Sequence, residues 1–177
     1  MANLKIGDKA LPFSLPGVDG ANHSLSEYAK KTAIAIIFSC NHCPYVRAWE
    51  DRMVQIQADY AQKGLQLVAI NANDADTYPD DNFENMKIRS RDKQFNFPYL
   101  RDESQKTAKA YGAERTPEVF LLDGSGILRY HGAIDDNYDD PGAVKVRYLR
   151  DAIDAMLTGA RPKTQETKPV GCSIKWK

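Results

Sequence analysis

Two of the chain's three cysteines stand three residues apart, in Cys40-Asn41-His42-Cys43. Sulfurs at that spacing can open and close a disulfide between them or share a metal ion. Exchange needs a thiolate, because a neutral thiol is a poor nucleophile near neutral pH. A helix N-terminus supplies unpaired amide hydrogens and the positive end of the helix dipole, both of which favour a thiolate. Cys40 is expected to be the exposed attacking sulfur. Cys43, within about one helical turn, is expected to close the ring or resolve a mixed disulfide. His42, inside the ring, is expected to support the Cys40 thiolate as a donor or cation. Stabilising the reduced form raises the potential, within a range of about −270 to −120 mV for dithiol oxidoreductases. A zinc site needs three or four protein ligands. Beyond the pair only Cys172 and the distant His23 and His131 remain, so no metal and no cofactor is assigned.

The surrounding pattern positions the pair. Thr32 to Ser39 is a β-branched, apolar run suited to a strand buried on both faces, and it leads straight into the cysteines. Val46, Trp49, Met53, Ile56 and Tyr60 then recur at helical spacing, with Gly64 as the stop and Leu65 to Ile70 as a second buried strand. The CxxC therefore sits at the strand-to-helix junction of a βαβ unit.

Residues 10 to 28 read as a short strand pair around Gly17-Val18-Asp19-Gly20. Asn71 to Asp81 reads as a polar loop, followed by a helix from about Asn82 to Gln94, a strand at Phe97 to Leu100 and a helix from Ser104 to Tyr111. Asp123-Gly124-Ser125-Gly126 joins Glu118–Leu122 to Ile127–His131 as a hairpin. Asp140-Pro141 is expected to open a last helix ending at Gly159. One domain, 1–159, is expected, with 160–177 as a tail packed on it or extending from it.

Charge balances, with 24 basic and 24 acidic residues, so no global field attracts nucleic acid or an anionic membrane. No apolar run is long enough to span a bilayer. The start, Met1 to Asp8, has no apolar core like a secretory leader's. A close pair plus one odd cysteine fits a reducing compartment, so a cytoplasmic location is the expectation.

The joint pattern resembles the thioredoxin superfamily, and within it the redoxin branch of alkyl hydroperoxide reductase/thiol-specific antioxidant-like proteins and thiol–disulfide oxidoreductases. Phe38-Ser39-Cys40-Asn41-His42-Cys43-Pro44, Ala108-Lys109-Ala110-Tyr111-Gly112, Thr116-Pro117-Glu118-Val119-Phe120-Leu121-Leu122-Asp123 and Phe13-Ser14-Leu15-Pro16-Gly17-Val18-Asp19-Gly20 carry the likeness, which covers about residues 5 to 158. It implies an α/β fold with a central mixed sheet flanked by helices, an N-terminal strand pair and a C-terminal tail. It also implies a cis Pro117 lying against the CxxC, with Thr116 offering backbone groups to a bound thiol substrate. Partners would be protein or small-molecule thiols and disulfides. Two departures are visible: Ser39 stands where such reductases commonly carry Trp, and neither cysteine register supplies the peroxiredoxin Pro-x-x-x-Thr/Ser-x-x-Cys motif. Thiol–disulfide exchange is the leading expectation, with a thiol peroxidase and a metal-binding or metallochaperone module as alternatives. The oligomeric state is not legible.

Cys172, Ile174 and Trp176 would share one face of a short strand, so Cys172 is either a packing residue pinning the tail or a third redox thiol. His131 reads as a surface or half-buried residue at a hairpin end, with a metal site shared with the cysteines as its alternative role, and His23 reads as exposed. The acidic groups Asp74, Asp76, Asp80, Asp81 and Asp135, Asp136, Asp139, Asp140 read as solvated loops and caps.

Overall fold

The computed structural model describes residues 3–177; Met1 and Ala2, part of the N-terminal stretch read above, lie outside the described residues. A five-stranded mixed sheet, in the order β5-β4-β3-β7-β8, forms the frame. Its centre is β3 (Ala33–Ser39), parallel to β4 (Leu65–Asn71) and antiparallel to β7 (Glu118–Asp123). β5 (Tyr99–Arg101) extends the β4 side in parallel and β8 (Leu128–Gly132) closes the other edge.

Every residue of β3 is buried because both faces of the strand are covered. Side chains alternate along a strand, so Ala33, Ala35 and Ile37 join one apolar cluster while Ile34, Ile36 and Phe38 join another. The first cluster is capped by α1 (Pro44–Tyr60), α2 (Phe83–Asp92) and α4 (Tyr148–Leu157), through Trp49, Met53, Met86, Leu149 and Ile153. The second is capped by α3 (Lys106–Tyr111) and N-terminal residues, through Ala108, Tyr111, Phe13 and Tyr28. This is the expected α/β architecture, including the strand pair β1 (Ser14–Pro16) with β2 (Asn22–Ser24).

Element boundaries differ where local chemistry competes with pattern. The expected helix from Asp140-Pro141 is only a single 3-10 turn at Pro141–Ala143, and α4 begins at Tyr148. Gly142 weakens a helical start. The following residues are drawn to the preceding loop instead: Lys145 N donates to Asp136 Oδ1 and Asp136 N to Val146 O. His23 is half-buried rather than exposed, its ring held by Asp19 Oδ2 at 2.8 Å and Tyr28 Oη at 3.2 Å.

The tail folds back on the body. Ile174 is buried in the second cluster, and β9 (Cys172–Ser173) pairs antiparallel with β6 (Arg115–Thr116). Trp176, expected on the inward face, is exposed beneath the Lys109 ammonium. Among the described residues no helix is long and apolar enough to cross a membrane.

Candidate active site

β3 ends at Ser39, and the chain turns through Cys40, Asn41 and His42 before α1 begins at Pro44. Proline lacks an amide hydrogen and disfavours helical angles in the residue before it. Cys43 is accordingly extended (φ −65°, ψ 126°) and occupies the N-cap. The helix entry thus falls on Cys43, three residues later than Cys40.

The two thiols of the pair shift in opposite directions. The Cys43 thiol is pulled down to about 4, chiefly by the Cys40 thiol facing it, with Cys172 and the first-turn amide of Val46 adding to the effect. The Cys40 thiol is pushed well up, first because its proton is directed at Cys43, then by burial and by the Asp81 carboxylate. Cys40 was expected to be exposed and charged; it is 2% exposed, and its thiol is shifted upward while that of Cys43 is shifted downward. All three cysteines are free thiols.

The peptide bond between Thr116 and Pro117 is cis. It brings Thr116 against both sulfurs: its Oγ1 lies 3.5 Å from Cys40 Sγ and its carbonyl oxygen 3.4 Å from Cys43 Sγ. Glu118 steadies this corner. Its Oε2 accepts from the Glu114 and Arg115 amides at 2.8 and 2.7 Å, while Oε1 lies 2.6 Å from His131 Nε2. His131, stacked on Phe120, is thereby engaged away from the cysteines.

Beneath the CxxC turn lies Asp81, fully buried rather than in a solvated loop as expected. Its carboxylate accepts from Asn41 N at 2.7 Å, Asn73 Nδ2 at 2.8 Å and Asn71 Nδ2 at 3.3 Å. His42 Nδ1 lies 2.6 Å from Asp81 Oδ2, close but off the axis of a hydrogen bond, and its ring is parallel to that of Tyr78. His42 therefore faces a carboxylate rather than donating directly to Cys40. Arg47 Nε on Asn41 O and Tyr99 Oη on Asn41 Oδ1 pin the turn from two further sides. Donor atoms of Cys40, His42 and Asp81 lie within 4.8 Å of one another, a possible metal-binding set that leaves out His131 and Cys172. The amide hydrogens already on Asp81 compete with a metal for that carboxylate.

Asp135 is also buried rather than solvated; it accepts from Trp49 Nε1 at 3.0 Å and pairs with Arg52 at 2.7 Å. Cys172 is half-buried, and its Sγ lies 2.8 Å from Cys43 Sγ.

The AhpC/TSA family profile matches residues 6–131, which include the cysteine pair, the cis-proline corner and the central strands. The chain belongs to the AhpC/TSA family. Within this redoxin group it is similar to the thiol-disulfide oxidoreductase ResA of Halalkalibacterium halodurans, at 24% identity over 72% of this chain and 68% of that one. It is likewise similar to a Mycobacterium tuberculosis protein whose provisional name is peroxiredoxin, at 26% identity over 74% of this chain and 78% of that one. An uncharacterized conserved protein from Geobacillus kaustophilus superposes with a TM-score of 0.93 at 40% identity, covering 98% of this chain and 93% of that one. The fold is thioredoxin-like, and the AhpC/TSA assignment places the chain in a redoxin family that takes in thiol–disulfide oxidoreductases and peroxiredoxin-like proteins. Asp81, Glu118 and the pairing of β9 with β6 are the parts of this AhpC/TSA site that sequence reading missed. Only the adjacency of Glu118 to Pro117 offered a signal.

Proposed function

We propose that this protein is a thiol–disulfide oxidoreductase that cycles Cys40 and Cys43 between dithiol and disulfide. The supporting observation is the placement of both sulfurs where β3 gives way to α1, with Cys43 at the helix N-cap and the cis Thr116–Pro117 corner against Cys40 and Cys43; the lowered Cys43 thiol and raised Cys40 thiol agree with it. Cys40 Sγ attacks one sulfur of a substrate disulfide while Cys43 takes its proton. The substrate S–S bond breaks, a mixed disulfide forms on Cys40, and one substrate thiolate leaves. Cys43 Sγ then attacks Cys40 Sγ and passes its proton to the second departing thiol. The substrate gains two electrons and the chain holds a Cys40–Cys43 disulfide. His42 with Asp81 sets the charge around Cys40, and Thr116 with Pro117 shapes the surface on which the substrate lies. Substrates are protein or small-molecule disulfides, and the reverse direction serves their thiols. A reducing compartment such as the cytoplasm would keep the resting thiols free.

One contact favours a second reading, thiol peroxidase: the Thr116 hydroxyl beside Cys40 is placed to hold a peroxide oxygen. Insulin reduction and hydrogen peroxide consumption, each driven by dithiothreitol, separate the two. The oxidoreductase reading expects insulin reduction that Cys40→Ser and Cys43→Ser both abolish. Rapid peroxide loss without insulin reduction would replace it with the peroxidase.

A further inference from the structure

The short strand β9 lies along the edge of β6, with Thr116 opposite Cys172 and Arg115 opposite Ser173. β6 is the strand that ends in the cis-proline corner, so the tail occupies the backbone groups beside the two cysteines. Its seat is built for close approach. A Cβ on Gly171 would stand 2.1 Å from Thr116 O and 3.2 Å from Pro117 N, so only a residue without a side chain fits there. Beyond Cys172 the chain is held independently of the sulfurs. Ile174 is buried and donates its amide to Glu114 O. Lys175 O accepts from Asp74 N at 2.7 Å and Gln105 Nε2 at 2.9 Å, and Lys175 N donates to Asn73 Oδ1.

This anchoring delivers one thiol, Cys172, to 2.8 Å from Cys43 Sγ, on which the Cys40 thiol is also directed. Cys43 is thus the shared neighbour of two sulfurs. Cys40 and Cys43 are buried, whereas Cys172 is the most accessible of the three. We infer that Cys172 is a third redox-active cysteine, presented by the tail strand in the place of a substrate thiol, and that it forms a disulfide with Cys43. The inference rests on the redox reading of Cys40 and Cys43 given above and extends it.

The step needs no reactant beyond the substrate disulfide. Once Cys40 and Cys43 are joined, Cys172 gives up its proton and its Sγ attacks Cys43 Sγ. The Cys43–Cys172 bond forms and the Cys40–Cys43 bond breaks. Cys40 departs with the electron pair and takes up a proton. No electrons enter or leave the chain; the disulfide moves from the buried pair to the more accessible sulfur, where an external thiol can attack it. The resting Cys172 thiol is held up at about 11 by burial and then by the Cys43 anion, while Lys175 and Arg115 pull the other way. Forming the first disulfide removes the anion and eases that deprotonation.

Disulfide mapping by mass spectrometry after oxidation with oxidised glutathione and alkylation of free thiols tests this. Cys40→Ser should still form an intramolecular disulfide, Cys43–Cys172, and Cys172→Ser should form Cys40–Cys43. Gly171→Ala, which leaves every sulfur in place, should lower the Cys43–Cys172 yield about tenfold by unseating the strand while Cys40–Cys43 still forms. Absence of Cys43–Cys172 from both wild type and Cys40→Ser, under conditions that fully oxidise Cys172→Ser, overturns the inference and leaves the oxidoreductase reading intact. Failure of Cys172→Ser to form Cys40–Cys43, with Cys43–Cys172 present in Cys40→Ser, overturns that reading and, with it, the transfer of the disulfide from the buried pair.

Discussion

His42 Nδ1 and Asp81 Oδ2 lie 2.6 Å apart, although they stand 39 positions apart in the chain and one belongs to the CxxC while the other ends the loop after β4. The carboxylate is fully buried, and its negative charge is among the causes that keep the Cys40 thiol protonated. The aspartate therefore opposes a thiolate at Cys40.

Removing that opposition should make the site more oxidising. In Asp81→Asn the Cys40 thiolate becomes easier to form, which stabilises the reduced state. Each pKa unit gained corresponds to about 1.4 kcal/mol, or about 30 mV for a two-electron couple. His42→Pro should move the potential the other way. Equilibration with glutathione measures both, and an unchanged or lowered potential in Asp81→Asn would contradict this role.

The Cys43 anion sets a pH dependence with a defined sign. Its value falls from the ordinary 9.0 to about 4, so the stability it lends the reduced fold is complete above 9.0 and is lost as pH drops through about 4. Cys172 is opposite in sign: raised from 9.0 to about 11, it contributes while neutral, below 9.0, and that contribution is lost towards about 11. Thiolate ultraviolet absorbance of the reduced protein should therefore show one step near pH 4 that Cys43→Ser abolishes. A titration with no step below neutral pH would show that the helix entry does not hold a thiolate.

Glu118 should matter to the site without touching a sulfur. It ties the Glu114 and Arg115 amides and His131 into the corner that carries Thr116. Glu118→Ala leaves His131 unpaired and two amides unsatisfied, which should cost about 3–5 kcal/mol in denaturant unfolding. Insulin reduction should also slow, with KM affected more than kcat. A loss below about 1 kcal/mol would place Glu118 among surface ion pairs of little consequence.

The frame of the site was legible in the sequence because it is local. The apolar run of β3, the helical spacing of Val46, Trp49 and Met53, and the proline after Cys43 each act within a few residues of one another. The cis bond at Pro117 was reached through family resemblance, since nothing in the local spacing marks it. What stayed hidden depends on distant contacts. Asp81 looks like any loop carboxylate until Asn41, Asn71 and Asn73 surround it. Cys172 was recognised as facing the body, but its sulfur partner lies 129 residues away and depends on a two-residue strand too short to carry periodicity. The burial of Cys40 has the same origin: Thr116, the tail and the loop before α2 close over a strand end that alone would be open.

The Cys172→Ser variant, equilibrated across a series of glutathione redox buffers, most directly tests whether the cysteine pair is a working redox couple. Alkylation followed by mass mapping should show Cys40 and Cys43 passing together from two free thiols to one disulfide, in a single two-electron transition. Two thiols that remain separately alkylatable at every ratio would contradict the account.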